Sequence, residues 1–303
     1  MAIGSKKLVL LALVANVGIA VIKGLAFLVS GSSAMLAEAI HSVADSTNQL
    51  FLLRGESASR LAPDSRHPFG RGKEAYFWSF MVAVFLFVGG AVFALVEGYR
   101  RVSNPHESEG GIVLALIVLG IAALFEGLVA FRPALKAFNE TRAGRSIVST
   151  VRESKDTVLI VVLFEDSAAV VGLAIAATGL VLSEVTGWVQ WDGIASILIG
   201  VLLASVAWIL AYEMKGLLIG ESAVREDRAL IRAAALSVPA VTSISRVLTM
   251  QLSPHEILVN MDVRLDRGMA VESAEEAIDE IEARIREKVP DATRIFIELE
   301  PGE

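Results

Sequence analysis

The chain has 303 residues, 54% of them hydrophobic, no cysteine and a formal net charge of -7. Soluble chains carry about 45–50% apolar residues, so this excess, with a mean hydropathy of +0.61, implies a membrane. The lack of cysteine excludes a disulfide framework and thiolate metal sites, leaving His, Asp and Glu as the strong ligands, and the acidic balance argues against a nucleic-acid partner.

Met1 to Lys7 lead into an apolar run longer than a secretory h-region and without an Ala-x-Ala cleavage site, so this run is expected to stay as the first span. Six apolar segments are long enough to cross a bilayer as helices: Leu8–Ser30, Ser33–Leu53, Ala75–Tyr99, Gly111–Phe131, Thr157–Val181 and Trp188–Tyr212. After Lys215 the sequence turns charged, which divides the chain into a six-span domain, 1–214, and a C-terminal cytoplasmic domain, 215–303. Arg54, Arg60, Arg66, Arg71 and Lys73 follow span two, and Arg132, Lys136, Arg142, Arg145, Arg152 and Lys155 follow span four. The opposite side carries only Arg100 and Arg101, after span three. This asymmetry is expected to place both termini in the cytoplasm, or in the matrix of an organelle. Nothing resembles a transit peptide, so a bacterial inner membrane is the expected location.

Within span two, Ala37-Glu-Ala-Ile-His41-Ser-Val-Ala-Asp45-Ser46 sets an imidazole and a carboxylate four residues apart. On a helix they share one face. Such a pair at membrane depth is costly unless it faces a wet interior or binds something, and both groups can reach one divalent cation. Asn48, three residues beyond Asp45, shares that face as a ligand oxygen or as a group orienting Asp45; Gln49 follows it. In span five, Glu165 and Asp166 are adjacent carboxylates in an uncharged run. Neighbours on a helix point about 100° apart, so Asp166 is the expected ligand and Glu165 either a ligand or a proton acceptor. Asn16 and Lys23 in span one could line a cavity, but a structural reading is favoured for the pair, the lysine snorkelling from near the end of its span. Glu126 and Asp192 fall near helix ends, where solvated or helix-packing roles are expected.

The tail reads as helix, strand, strand, helix, strand. Arg225–Leu236 is amphipathic, and Ser243–Leu252 and Ile257–Leu265 alternate as strands do. Ser273-x-x-Glu276 matches a capping box opening a helix, with Ile278, Ile281 and Ile285 as its apolar stripe. Arg294–Glu300 forms a last strand. This is enough for one small α+β domain with helices on one face of a sheet.

These residues together resemble the cation diffusion facilitator family of divalent-metal/proton antiporters. Ser33 to Asp45 is similar to the family's second-span signature. Arg66-His-Pro-Phe-Gly-Arg-Gly-Lys73 is similar to its stretch leading into span three, and Ile297-Glu-Leu-Glu-Pro301 to its final tail strand. The resemblance covers essentially the whole chain. It implies a homodimer, a tetrahedral metal site between spans two and five, a ferredoxin-like cytoplasmic domain, and alternating access powered by protons. His41 and Asp45 match the family's ligand positions. In span five many zinc-transporting members have His-x-x-x-Asp, whereas here Val162 precedes Asp166 by four and Val161 precedes Glu165 by four. The fourth ligand is therefore open among Glu165, Asn48 and water. Glu-Asp followed by Ser-Ala-Ala resembles a branch that includes a mitochondrial zinc transporter. Arg71 stands where some members have histidine, so no loop site on His67 and Asp64 is expected. The tail's single histidine is His255, and the last strand carries Glu298 and Glu300 where metal-sensing members often have His and Asp, so the resemblance implies a domain that dimerises and binds metal weakly or not at all. Lys73 and Glu221 fall near the family's charge interlock.

The functional expectation is a secondary transporter, not an enzyme, with no cofactor. It exports a divalent cation in exchange for protons, since ligands must deprotonate to bind metal. Zn²⁺ is favoured by the resemblance, and a shell of one nitrogen and three oxygens also admits Mn²⁺ or Fe²⁺. The expected partners are the ion, protons, the lipid bilayer and a second copy. The alternative is a membrane metal sensor or chaperone that binds without flux. An intramembrane metalloenzyme would want His-Glu-x-x-His, which none of His41, His67, His106 and His255 provides.

Overall fold

The computed structural model describes residues 2–105, 112–142 and 144–300, apart from the side chains at 2–12, 14, 15, 30 and 114. His106 and Gly111, the expected start of span four, lie outside the described residues. The chain forms two compact units, Met1–Ser57 with Phe77–Met214, and Ala58–Tyr76 with Lys215–Glu303.

The first unit is helical. α1 is Ala2–Ser30 and α2 Ser33–Ser59. α3 is Glu74–Ser103, with a π-helical stretch at Leu86–Val92. α4 runs from Ile112–Phe125 through a π-helical Glu126–Phe131 into Arg132–Arg142. α5 is the short Ile147–Glu153, α6 Thr157–Thr186 and α7 Gln190–Ile219. Among the described residues, four helices are long and apolar enough to cross a membrane: Glu74–Ser103, Ala115–Arg142, Thr157–Thr186 and Gln190–Ile219. α2 is diluted by Glu38, Asp45, Arg54 and Glu56, and the apolar stretch described in α1 is Asn16–Val29. Several helices outrun the apolar segments expected of them. α4 continues to Arg142 rather than ending at Phe131, because its amphipathic last turns still bury Ala134 and Phe138. Hydropathy marks where lipid contact stops, whereas backbone hydrogen bonding continues for as long as one face is covered.

Local chemistry sets the ends of α6. Asp156 accepts the N–H of Leu159 at 3.1 Å as its N-cap, and Gly187 closes it at φ +68°, in the left-handed region. α3 and α7 approach at backbone distance. A Cβ at Gly98 would lie 2.7 Å from Gly193 O, and one at Gly193 would lie 2.9 Å from Gly98 O. Small residues allow such contact where no hydrophobic force separates helix from lipid. α1 packs on α4 and α4 on α6, which brings polar residues from four helices, α2 included, toward one interior.

The second unit contains α8 (Arg225–Leu236), β1 (Val241–Ser253), β2 (Glu256–Leu265), α9 (Val271–Lys288) and β3 (Arg294–Leu299), in the expected order. β1 pairs antiparallel with β2, which pairs parallel with β3. Ile231, Ala235, Val259, Met261, Ile281 and Ile285 are among its buried core. The capping box is corrected: α9 begins at Val271 after Ala270, with no side-chain cap bond, so Ser273 sits inside the first turn. The matching spacing was coincidental.

Residues 58–76 pack within this unit. A Cβ at Gly72 would lie 2.5 Å from Leu252 O, so only glycine fits there. Phe69 meets Phe296 edge-on at 6.4 Å, with the Arg294 guanidinium 5.5 Å from the Phe69 ring centre. Lys73 donates to Leu218 O at 3.3 Å and lies 3.8 Å from Met250 Sδ, while the neighbouring Gln251 N donates to Glu221 O at 2.8 Å.

Candidate metal centre

α2 and α6 carry the sequence-derived residues. His41 is fully buried, and its Nδ1 lies 3.5 Å from Asp45 Oδ1 one turn on, a contact longer than a good hydrogen bond. Asn48, also fully buried, donates its amide to Glu165 Oε1 on α6. It therefore links the two helices through Glu165, although the spacing had pointed it at Asp45.

Asp45, Glu165 and Asp166 line one small cavity of about 30 Å³ together with Asn16, Gln49, Glu126 and Val162. That exceeds the ~10–15 Å³ a single water requires. His41 and Asn48 are outside its lining. Around it, Asp45 Oδ1, Asn48 Oδ1, Gln49 Oε1, Asp166 Oδ2 and both His41 ring nitrogens are buried without hydrogen-bond partners among the described residues. Buried polar groups are normally paired. The unpaired oxygens here are all acceptors, and acceptors short of donors are what a cation satisfies. Among the described residues, no three His, Cys, Asp or Glu side chains are gathered tightly enough to hold an ion as they stand. The arrangement is a set of facing acceptors rather than a closed shell.

Three structural readings of the sequence are corrected, the first being Asn16, which lines the cavity. Lys23 does not snorkel. It is fully buried and donates to Ser42 Oγ at 2.8 Å, Glu126 Oε1 at 3.0 Å and Glu38 Oε2 at 3.2 Å. A lysine ammonium has three donors, and here each has an acceptor. Glu126 is buried and cavity-lining rather than solvated. Asp192 does serve helix packing, but from a buried position. It accepts from Ser33 N at 2.7 Å, Ser33 Oγ at 3.0 Å and the Ser32 hydroxyl, with Arg101 Nε at 3.6 Å.

Gln49 and Glu126 belong to the cavity and were not singled out as site residues. Gln49 is four residues after Asp45, and that spacing alone signals it. Glu126 follows an uninterrupted apolar helix, Ile112–Phe125, where a carboxylate invites a search for its partner.

Residues 9–219 match the family model for the cation efflux transmembrane domain, and residues 223–302 the model for the cation efflux protein, cytoplasmic domain. Metal tolerance protein C4 of Arabidopsis thaliana is 39% identical over 204 residues, covering 65% of this chain and 43% of that protein. The human mitochondrial proton-coupled zinc antiporter SLC30A9 is 31% identical over 308 residues, covering 99% of this chain and 53% of that protein. The manganese efflux system protein MneP of Bacillus subtilis is 24% identical over 301 residues, covering 98% and 96%. The chain thus spans about half the length of the first two relatives.

Proposed function

The chain belongs to the cation efflux family, and on that premise we propose that it exports a divalent metal cation, Zn²⁺ first, in exchange for protons. The observation that carries this reading is the cavity between α2 and α6, where Asp45, Glu165 and Asp166 face one another amid unpaired acceptors. His41, Asp45 and Asp166 hold the ion, with Glu165 or Asn48 completing its shell. The ion draws these groups together, replacing donors that the interior does not supply. When it leaves, the carboxylates must be neutralised by protons, because isolated charges in a dry interior are costly. Metal and protons therefore compete for the same atoms. Rocking of the helices about this site supplies alternating access.

In this reading α1 and α2 also span, giving six spans and both termini in the cytoplasm. Residues 1–214 are the transport domain, and 215–303 the cytoplasmic domain that joins two copies. A bacterial inner membrane is the setting. One nitrogen and several carboxylate oxygens keep Mn²⁺ and Fe²⁺ as alternatives to Zn²⁺.

The test is Zn²⁺ uptake into proteoliposomes under an imposed pH gradient. Wild-type chain takes up metal in proportion to the gradient, and Asp45→Ala does not. Equal flux in the variant removes the site assignment. Binding without flux in the wild type marks a sensor or chaperone instead.

A further inference from the structure

Glu126 occupies two environments at once. One of its oxygens receives the Lys23 ammonium at 3.0 Å, and the same side chain lines the cavity with Asp45, Glu165 and Asp166. It opens the π-helical stretch of α4, Glu126–Phe131. Such stretches interrupt the regular helical ladder and occur preferentially at functional sites. Lys23 meanwhile bonds Glu38 and Ser42, which flank His41 on α2, so it keeps two acceptors if Glu126 turns away. A Cβ at Gly172 on α6 would lie 2.5 Å from Glu38 Oε1, so α6 confines Glu38 as Lys23's remaining partner.

We propose that Glu126 is a further ion-coordinating residue of this transporter, and that Lys23 is a tethered cation which Glu126 exchanges for the transported one. With the site empty, Lys23 holds Glu126 to the wall of the cavity. When a divalent ion occupies the cavity, Glu126 turns to it and Lys23 stays on Glu38 and Ser42. The ion thus competes with a built-in ammonium, which weakens binding and speeds release. A buried ion pair that served packing alone would not need one partner on the wall of a polar cavity, and its loss would not separate affinity from turnover.

This rests on the metal-export reading, and the experiment separates the two. Binding of Zn²⁺ alone to the purified full chain is measured by calorimetry, and Zn²⁺ flux in proteoliposomes, for Glu126→Gln, Lys23→Met, their double variant and Asp45→Ala. Glu126→Gln raises Kd by ~10–100-fold, the range found when groups supporting a metal site are removed. Lys23→Met lowers Kd and slows maximal flux, because the competitor is gone and the ion leaves late. Opposite shifts in Kd support the proposal. An unchanged Kd in Glu126→Gln, or equal weakening by both single changes with recovery in the double variant, overturns it. Should Glu126→Gln not fold, Glu126→Asp carries the test: a raised Kd supports the proposal and an unchanged one overturns it. Flux lost in Asp45→Ala while Glu126→Gln binds as wild type overturns this inference and leaves the export reading standing; flux kept in Asp45→Ala overturns both.

Discussion

The carboxylate of Asp192, in the first turn of α7, accepts the backbone N–H of Ser33 at 2.7 Å and that of Ala34 at 3.4 Å. It caps the N-terminus of α2 from another helix. Helix N-termini present unpaired donors and favour negative charge. Asp192→Ala should therefore destabilise the chain by about 1–2 kcal/mol, the upper range for a lost cap. Asp192→Asn keeps an acceptor and should cost less. Thermal unfolding of the purified full chain checks the order: wild type above Asn, Asn above Ala. All three melting together would show that the carboxylate's acceptor role is idle.

Asn48 donates to Glu165 across α2 and α6, so its substitution separates orientation from ligation. Asn48→Leu retains bulk but leaves the buried Glu165 without that donor. Hydrogen bonds to charged groups contribute about 1.5–3 kcal/mol, and groups that orient metal ligands change affinity by ~10–100-fold. The apparent affinity for Zn²⁺ in flux assays should fall by that factor. If Asn48 acts through Glu165, Asn48→Leu added to Glu165→Gln should cost much less than the two single losses combined. Additive losses would show independent roles.

Much of this arrangement was legible in the residues, for identifiable reasons. The His41–Asp45 spacing and the tail's helix-strand order follow from periodicity, and the Glu165–Asp166 pair from two charges in an apolar run, signals that survive without tertiary information. Lys23 was misread because hydropathy places a lysine along one helix but cannot tell that Glu38 and Glu126, 15 and 103 residues away, converge on it. Asn48 was placed on the right face, yet its partner came from α6, beyond the reach of local spacing. Gly72 stood in a recognised motif, but its closeness to the Leu252 carbonyl is a contact no pattern encodes.

Gly98 and Gly193 allow α3 and α7 to touch backbone to backbone, and the space admits nothing larger. A Cβ at Gly98 would also lie 2.8 Å from Ile197 N, a rigid atom that cannot swing aside. Gly98→Ala must therefore push the helices apart, losing contacts along both. Overpacking of this kind costs about 1–3 kcal/mol. Gly18, with nothing within 4 Å of an added Cβ, is the control. Gly18→Ala should leave the melting temperature unchanged or raise it, since alanine favours an uncrowded helix, and Gly98→Ala should lower it. Equal melting of the two variants would contradict the close approach.

Asp64 gathers the turn after α2. Its Oδ1 accepts the N–H of Arg66 at 2.9 Å and of His67 at 2.7 Å, and its Oδ2 takes the Arg71 guanidinium at 2.7 Å. The Arg71 guanidinium foremost, with the His67 N–H, holds this carboxyl well below the usual range. A folded value below the unfolded one means that the unfolded chain binds the proton more readily, so the group's contribution is complete above the ordinary aspartate pKa of about 3.9 and fades only as pH falls through the lower folded value. Hydrogen exchange of the Arg66, His67 and Gly70 amides in the full chain, corrected for intrinsic rate, should show protection unchanged from pH 7 to about 4. Asp64→Ala should exchange faster across that whole interval. Wild-type protection that falls away between pH 6 and about 5, well above the ordinary carboxylate range, would mean that a group other than Asp64 holds the turn.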